Sequence, residues 1–234
     1  MPAVRLLSYN VRSLRDDTDA LVRVVRGCRP DLVCLQEAPR FALWRTRRRR
    51  FARRCDLEVA AGGRAAGLAV LAGARARVLH REYHLLTRVP KLHRRALAIV
   101  VTELEGARLI VASTHLDLAP AARRVHAAEV IGLLGRARER YGAPVVLAGD
   151  MNEAPGGPAW ELLCRTFRDA YVIAPSGAGE TFTAARPRHR IDAVFADPRI
   201  DVIGCGVPAG PYLGRHYVQA TDHRPVVAEL AFRP

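Results

Sequence analysis

The chain has 234 residues, half of them apolar and 26% charged, with 37 basic side chains against 23 acids and a formal net charge of +14. That balance excludes disordered, collagenous and fibrous classes and allows a full hydrophobic core, and no run approaches the ~18 consecutive apolar residues of a membrane span. The charge favours anionic partners such as nucleic acid, although every basic residue except Lys91 is an arginine, a bias that a solvated surface also accommodates.

In chain order, a first strand-like run over residues 5–9 delivers Asn10, and Asp16, Asp17 and Asp19 mark the start of a helix that stops at Gly27 to Pro30. A second apolar run, 32–35, leads into Gln36 and Glu37. Residues 40–54 hold eight arginines and no acid. There Phe41, Trp44, Phe51 and Cys55 recur near multiples of 3.6, which predicts an amphipathic helix with the arginines on its outer face. That face suits either phosphate contact or simple solvation. Strands are expected at 68–71, 76–79 and 96–102, as hairpins in two sheets packed face to face. The run 109–114 delivers His115, a helix over 120–140 follows, and 145–149 delivers Asp150. The run 191–195 begins beside Asp192, and Asp222 and His223 precede a last strand at 225–230. Segments 64–67, 86–95 and 204–217 are expected as loops. The two halves share an outline of strand, polar tip, helix, strand and acidic tip. No linker-like segment divides the chain, so one domain spanning 1–234 is expected.

Several runs thus end in side chains able to bind metal or phosphate, and strand ends are where such side chains converge. A phosphoester hydrolase needs an oxygen-ligated cation, a base for water and donors for developing charge. Glu37 is a hard carboxylate suited to Mg²⁺, and Asn10 offers a neutral amide oxygen. Asp150 lies two residues before Asn152, close enough for both to point to one side, a base beside an amide. Asp192 and His223 offer a carboxylate–histidine pair in which the acid raises the imidazole pKa and orients the ring.

The segments Ser8-Tyr9-Asn10-Val11-Arg12, Leu35-Gln36-Glu37, Ser113-Thr114-His115-Leu116-Asp117, Gly149-Asp150-Met151-Asn152, Arg190-Ile191-Asp192 and Thr221-Asp222-His223-Arg224-Pro225-Val226 together resemble the ordered motif set of the endonuclease/exonuclease/phosphatase superfamily. The resemblance runs from residue 8 to residue 226. It implies an α+β fold, a four-layer αββα sandwich of two packed mixed β-sheets flanked by helices. It also implies Mg²⁺- or Mn²⁺-dependent phosphoester hydrolysis. In that reading Asn10, Glu37 and Asp222 surround the metal, Asp150 activates or positions water, Asn152 touches the phosphate, and His223, oriented by Asp192, stabilises the pentacovalent phosphorus. His115 would contact a phosphate oxygen or assist the leaving group. Leu116-Asp117 stands where abasic-site endonucleases carry a tyrosine-centred segment, a departure that argues against that branch.

The expected activity is a nuclease or other phosphodiesterase acting on nucleic acid. The alternatives are a phosphomonoesterase or phospholipid-headgroup hydrolase using the same site, and a non-catalytic nucleic-acid-binding module. Arg94 and Arg95, ahead of the strand at 96, could grip a substrate phosphate bidentately or simply open a charged strand. Arg123 is assigned to helix packing or ion pairing. His80, Glu82 and His84 lack the His-Glu-x-x-His order of a metalloprotease and are expected on an exposed strand or loop. Five cysteines without a C-x-x-C pair are expected as buried thiols, Cys164 among them in a core helix. With no apolar leader, the expected location is the cytoplasm, with neither membrane insertion nor an obligate protein partner.

Overall fold

Strands buried on both faces read as continuous apolar runs, and such strands form the centres of two sheets in this chain. A computed structural model describes residues 3–232; of the expected domain 1–234, residues 1, 2, 233 and 234 lie outside the described residues. Strand β1 (Ala3–Asn10) leads through a short 3-10 turn to helix α1 (Thr18–Cys28), then β2 (Leu32–Gln36), α2 (Trp44–Arg54), β3 (Glu58–Gly63), β4 (Leu68–Ala72), β5 (Arg77–Leu85) and β6 (Ala96–Leu104). Next come β7 (Ala107–His115), α3 (Pro120–Tyr141), β8 (Val145–Asp150), α4 (Pro158–Cys164), β9 (Arg168–Asp169), α5 (Ala170–Ile173), β10 (Asp192–Ala196), β11 (Ile200–Gly206), α6 (Pro211–Ala220) and β12 (Val226–Phe232).

The first sheet has the order β11-β12-β1-β2-β4-β3 and the second β5-β6-β7-β8-β10-β9. Each is mixed. A single parallel pair lies at its centre, β1 with β2 and β7 with β8, and its other pairs are antiparallel. The two sheets therefore repeat one plan of strand, helix and parallel strand, the likeness the sequence outlines.

Alternation along the strands divides the apolar residues among three clusters. Leu6, Leu32 and Cys34 of the first sheet meet Ala98, Val100 and Val111 of the second between the sheets. Leu7, Val33 and Leu35 face the other way, toward Leu21 and Val25 of α1 and Phe51 of α2. Leu97, Ile99 and Leu147 do the same toward Val130 and Leu134 of α3 and Trp160 of α4. The layers are thus helix, sheet, sheet, helix, as the resemblance implies. No helix among the described residues is long and apolar enough to cross a membrane.

Local chemistry sets the element ends. Asp17 caps α1, its carboxylate accepting from the backbone N–H of Asp19 at 2.8 Å and of Ala20 at 2.9 Å. The expected helix at 120–140 is α3, which opens on Pro120 and closes at Gly142, whose φ of 63° suits a C-terminal glycine.

Three expectations need correction. Residues 211–220 of the loop expected at 204–217 and beyond are helical as α6, and 204–206 end β11. Pro208, Gly210 and Gly214 hide the helical period, whereas Pro211 in the first turn is compatible with it. Arg48 does not lie on the outer face of α2; the residue is 2% exposed, and its guanidinium donates to Pro39 O and Leu68 O at 2.8 Å and to Gly63 O at 3.1 Å. Cys164 is exposed at the end of α4 rather than packed in the core, although the other four cysteines are buried. His80, Glu82 and His84 lie on β5, the edge strand of the second sheet.

Candidate active site

Both parallel pairs end on the same side of the sandwich, and there the sequence-distant residues meet. Asn10 closes β1 and Glu37 follows β2; His115 closes β7 and stands in register with Asp150, which closes β8. Asp192 opens β10 opposite Asp150, because that strand runs antiparallel. Asp150 is the hub. Its Oδ2 accepts from Asn10 Nδ2 at 3.0 Å and lies 3.4 Å from His115 Nε2 and 3.7 Å from His223 Nε2. Three strands of two sheets and the turn before β12 thus converge on one oxygen.

Its neighbours are held from behind. His223 Nδ1 pairs with Asp192 Oδ2 at 2.8 Å, and the Phe182 ring packs 4.9 Å from the imidazole. Asp192 is itself fixed through its backbone, since Thr181 Oγ1 accepts from the N–H of Ile191 and Asp192 at 3.3 and 3.2 Å. Arg190 leaves Asp192 free by making a bidentate pair with Asp169 at 2.9 and 2.8 Å. Asn152 Nδ2 reaches His115 Nε2 and Leu116 O, both at 2.9 Å, and its backbone N–H donates to Asp150 Oδ1 at 3.0 Å. Glu37 and Asn152 both adopt left-handed backbone, with φ of 49° and 50°. Such a conformation costs of order 1 kcal/mol and persists where surrounding bonds impose it. At Glu37 those bonds are Ser13 N–H to Glu37 O at 2.7 Å and Ala38 N–H to Gly67 O at 2.6 Å.

The glycine of Gly149-Asp150 has a steric reason. A Cβ at Gly149 would sit 2.1 Å from the Thr114 carbonyl oxygen, so only glycine lets β8 approach β7 at this point.

Electrostatics separates the two histidines. Burial drives His115 down to about 4, so it is neutral at pH 7. Burial acts the same way on His223, but the carboxylates of Asp192, Asp150 and Asp222 outweigh it and push the imidazole up to about 10. Burial also raises the Asp150 pKa, which makes its carboxylate a stronger base.

A divalent cation fits on donor chemistry. Asn10 Nδ2 bridges Asp150 and Glu37 Oε1, 3.3 Å away, so an amide N–H dipole already lies between two carboxylates. The carboxylates offer hard oxygens, the set suited to Mg²⁺ or Mn²⁺, whereas Asn10 turns its Nδ2 to them and its Oδ1 accepts from the Arg12 N–H at 3.1 Å. Asp150, Asp192 and His223 also present ligand atoms within 4.8 Å of one another. Within that trio, however, His223 Nδ1 and Asp192 Oδ2 already satisfy each other. Asp222 lines the same cleft with Oδ2 turned to Arg12 Nε at 3.4 Å.

The cleft has a volume of about 480 Å³. Arg94 lines it, half-buried; Arg95 lines it too, but donates to Asp117 Oδ2 at 3.3 Å. Arg123 is an ion-pairing residue, joining Glu153 at 3.0 Å. Sequence reading missed the anchoring roles of Asp169 and Thr221, whose Oγ1 donates to Asn10 O at 3.1 Å. Neither carries a local signal, because their partners lie tens to hundreds of residues away.

The sequence profile of the Endonuclease/Exonuclease/phosphatase family matches residues 7–223. The chain belongs to that family. Its structure is similar to an endonuclease/exonuclease/phosphatase from Bacteroides vulgatus, with 21% identity, TM-score 0.82 and all of both chains covered. A mannosyl-6-phosphatase from Bacteroides thetaiotaomicron gives 17% identity and TM-score 0.83 over 98% of this chain and 100% of the other. The catalytic domain of human Nocturnin gives 16% identity and TM-score 0.77 over 99% and 94%. These likenesses show the fold. No curated protein matches the chain. Endonuclease/exonuclease/phosphatase membership places the chain among enzymes that cleave phosphoester bonds.

Proposed function

We propose that the chain, acting as one domain in the cytoplasm, is a Mg²⁺- or Mn²⁺-dependent phosphodiesterase that cleaves nucleic acid by in-line attack of water. The observation that carries the hydrolytic reading is the meeting of Asn10, His115 and His223 on Asp150 Oδ2. Glu37, with Asn10 through Oδ1 after its amide turns and Asp222 after it turns from Arg12, would hold the cation. Bound there, the cation polarises the phosphoryl oxygens and offsets the charge of the transition state. Asp150 orients the attacking water and takes its proton. Protonated His223, aligned by Asp192, donates to the phosphoryl oxygen that gains charge, and neutral His115 with Asn152 positions a second oxygen or the leaving group.

The choice of nucleic acid rests on the cleft walls. Arg15, Arg40 and Arg94 line it with no carboxylate within 4.0 Å among the described residues, and Phe41 and Leu118 expose 65% and 69% of their surface there. Free guanidiniums suit phosphates beyond the scissile one, and exposed apolar side chains suit bases. The test is metal-dependent hydrolysis of single-stranded and plasmid DNA, RNA, bis(p-nitrophenyl) phosphate, inositol phosphates and sugar phosphates. Cleavage of nucleic acid that EDTA abolishes and Mg²⁺ or Mn²⁺ restores is expected. Turnover of monoesters alone would replace this reading with a phosphatase.

A further inference from the structure

A second cleft, of about 370 Å³, opens where α2 passes over the edges of the two sheets. One wall is α2 and the other is the edge strand β5 with β3 between them. The helical spacing of Arg45 and Arg49 puts both on the face toward this cleft, and Arg81 of β5 reaches it from the opposite side. All three are exposed, and none has a carboxylate within 4.0 Å among the described residues. The one acid lining it, Glu82, is occupied elsewhere: its Oε1 accepts from Tyr141 Oη and its Oε2 meets His84 Nε2, both at 2.6 Å.

The floor is rigid. The guanidiniums of Arg45 and Arg48 both pack on the Trp44 ring, 4.5 and 4.7 Å from its centroid, and Arg48 donates to four backbone carbonyls. The cleft also adjoins the catalytic one. Both flank the β3–β4 turn, with Gly62 lining the second and Ala66 and Gly67 the first, and Arg40 and Phe41 at the catalytic mouth lead directly into α2.

Of the other arginines of the basic run, Arg50 and Arg53 are exposed on other stripes of α2, and three are engaged. Arg47 donates to Ser13 O at 3.2 Å, Arg54 pairs with Asp19, and Arg48 is buried. The charge of residues 40–54 is therefore not one undivided solvated face.

We propose that the Arg45–Arg49–Arg81 cleft is a phosphate-binding subsite for a nucleic-acid strand that continues beyond the catalytic cleft. The proposal rests on the nucleic-acid reading above and adds a place and a direction to it. Three exposed guanidiniums without a carboxylate partner, on two facing elements, match the repeating charge of a strand backbone.

The test is fluorescence anisotropy of a labelled single-stranded oligonucleotide of about 12 nucleotides in EDTA, paired with Mg²⁺-supported hydrolysis of bis(p-nitrophenyl) phosphate and of the same oligonucleotide. Arg45→Glu/Arg49→Glu is expected to raise Kd about tenfold or more and to flatten its salt dependence by a slope of about 1 to 1.5. Arg81→Glu, from the other wall, is expected to raise Kd severalfold. Arg50→Glu/Arg54→Glu carries the same charge change on the opposite stripe of α2 and is expected to shift Kd by no more than about twofold to threefold. Hydrolysis of the small diester is expected to be unchanged in every variant, which also reports that each folds. Equal weakening by the two double variants, or none from Arg45→Glu/Arg49→Glu, would overturn the subsite while leaving nucleic-acid cleavage standing. A wild-type protein that hydrolyses only small esters would overturn both.

Discussion

His115 and His223 occupy one cleft, both nearly inaccessible, yet they carry different charge at neutral pH because only His223 has a carboxylate on its far nitrogen. That contrast supports the roles proposed for them, a protonated donor and a neutral partner. Asp192→Asn keeps the shape and removes the charge, so kcat is expected to fall about 10²-fold or more. The His223 pKa, followed by ring NMR, should drop from about 10 toward 6.5. Stability follows the same shifts in metal-free protein. His223, raised on folding, stabilises fully below about 6.5 and loses that contribution as pH climbs to about 10. His115, lowered on folding, costs nothing above about 6.5 and destabilises increasingly as pH falls toward 4. Melting temperature in EDTA should therefore peak near pH 6.5 on account of this pair, and Asp192→Asn should flatten the alkaline side; an equally steep alkaline decline in the variant would contradict the assignment.

The strands that deliver the site are the elements most legible in the sequence. β1, β2, β7 and β8 are short apolar runs that end in a polar residue, and helices α1 and α3 between them carry clear start and stop signals. β3, with its alanines and glycines, and β11, split by glycines, show no such pattern, and α6 is masked by proline and glycine. These are outer elements whose form comes from contact with what lies beneath them. The close approach of β7 and β8 is a further feature that only the fold displays. Gly149→Ala forces a Cβ against the Thr114 carbonyl oxygen, and is expected to cost about 2 kcal/mol or more in urea unfolding while displacing Asp150 and lowering kcat. Arg48→Met strands four carbonyls that the guanidinium now satisfies, and is expected to destabilise by about 2–4 kcal/mol, with only part recovered in Arg48→Lys. Neutral stability in Arg48→Met would return that residue to the outer face the periodicity predicts.

Across the whole molecule, two sheets of the same plan face each other, and the residues proposed for catalysis come from both. Spacing alone could not bring Asn10 to Asp150 across 140 residues or His223 to Asp192 across 31; the ordered motifs carried that information through resemblance. What the motifs left open was the state of Asp222, turned to Arg12, and the sorting of the arginines into bonded, buried and free. A cation bound between the sheets should stabilise the fold as a unit. At about 100 times its Kd it contributes roughly 2.7 kcal/mol, a rise in melting temperature of about 5–10 °C for a chain of this length. Glu37→Gln should abolish most of that rise, whereas an unaltered shift would place the cation elsewhere.

The measurement that bears most directly on the central claim is single-turnover hydrolysis of an oligonucleotide with saturating Mg²⁺ by wild type and Asp150→Asn, with circular dichroism on both. Asp150→Asn is expected to lose at least about 10²-fold with the fold retained. Near wild-type turnover in folded Asp150→Asn would show that the carboxylate on which both sheets converge is not the centre of the chemistry.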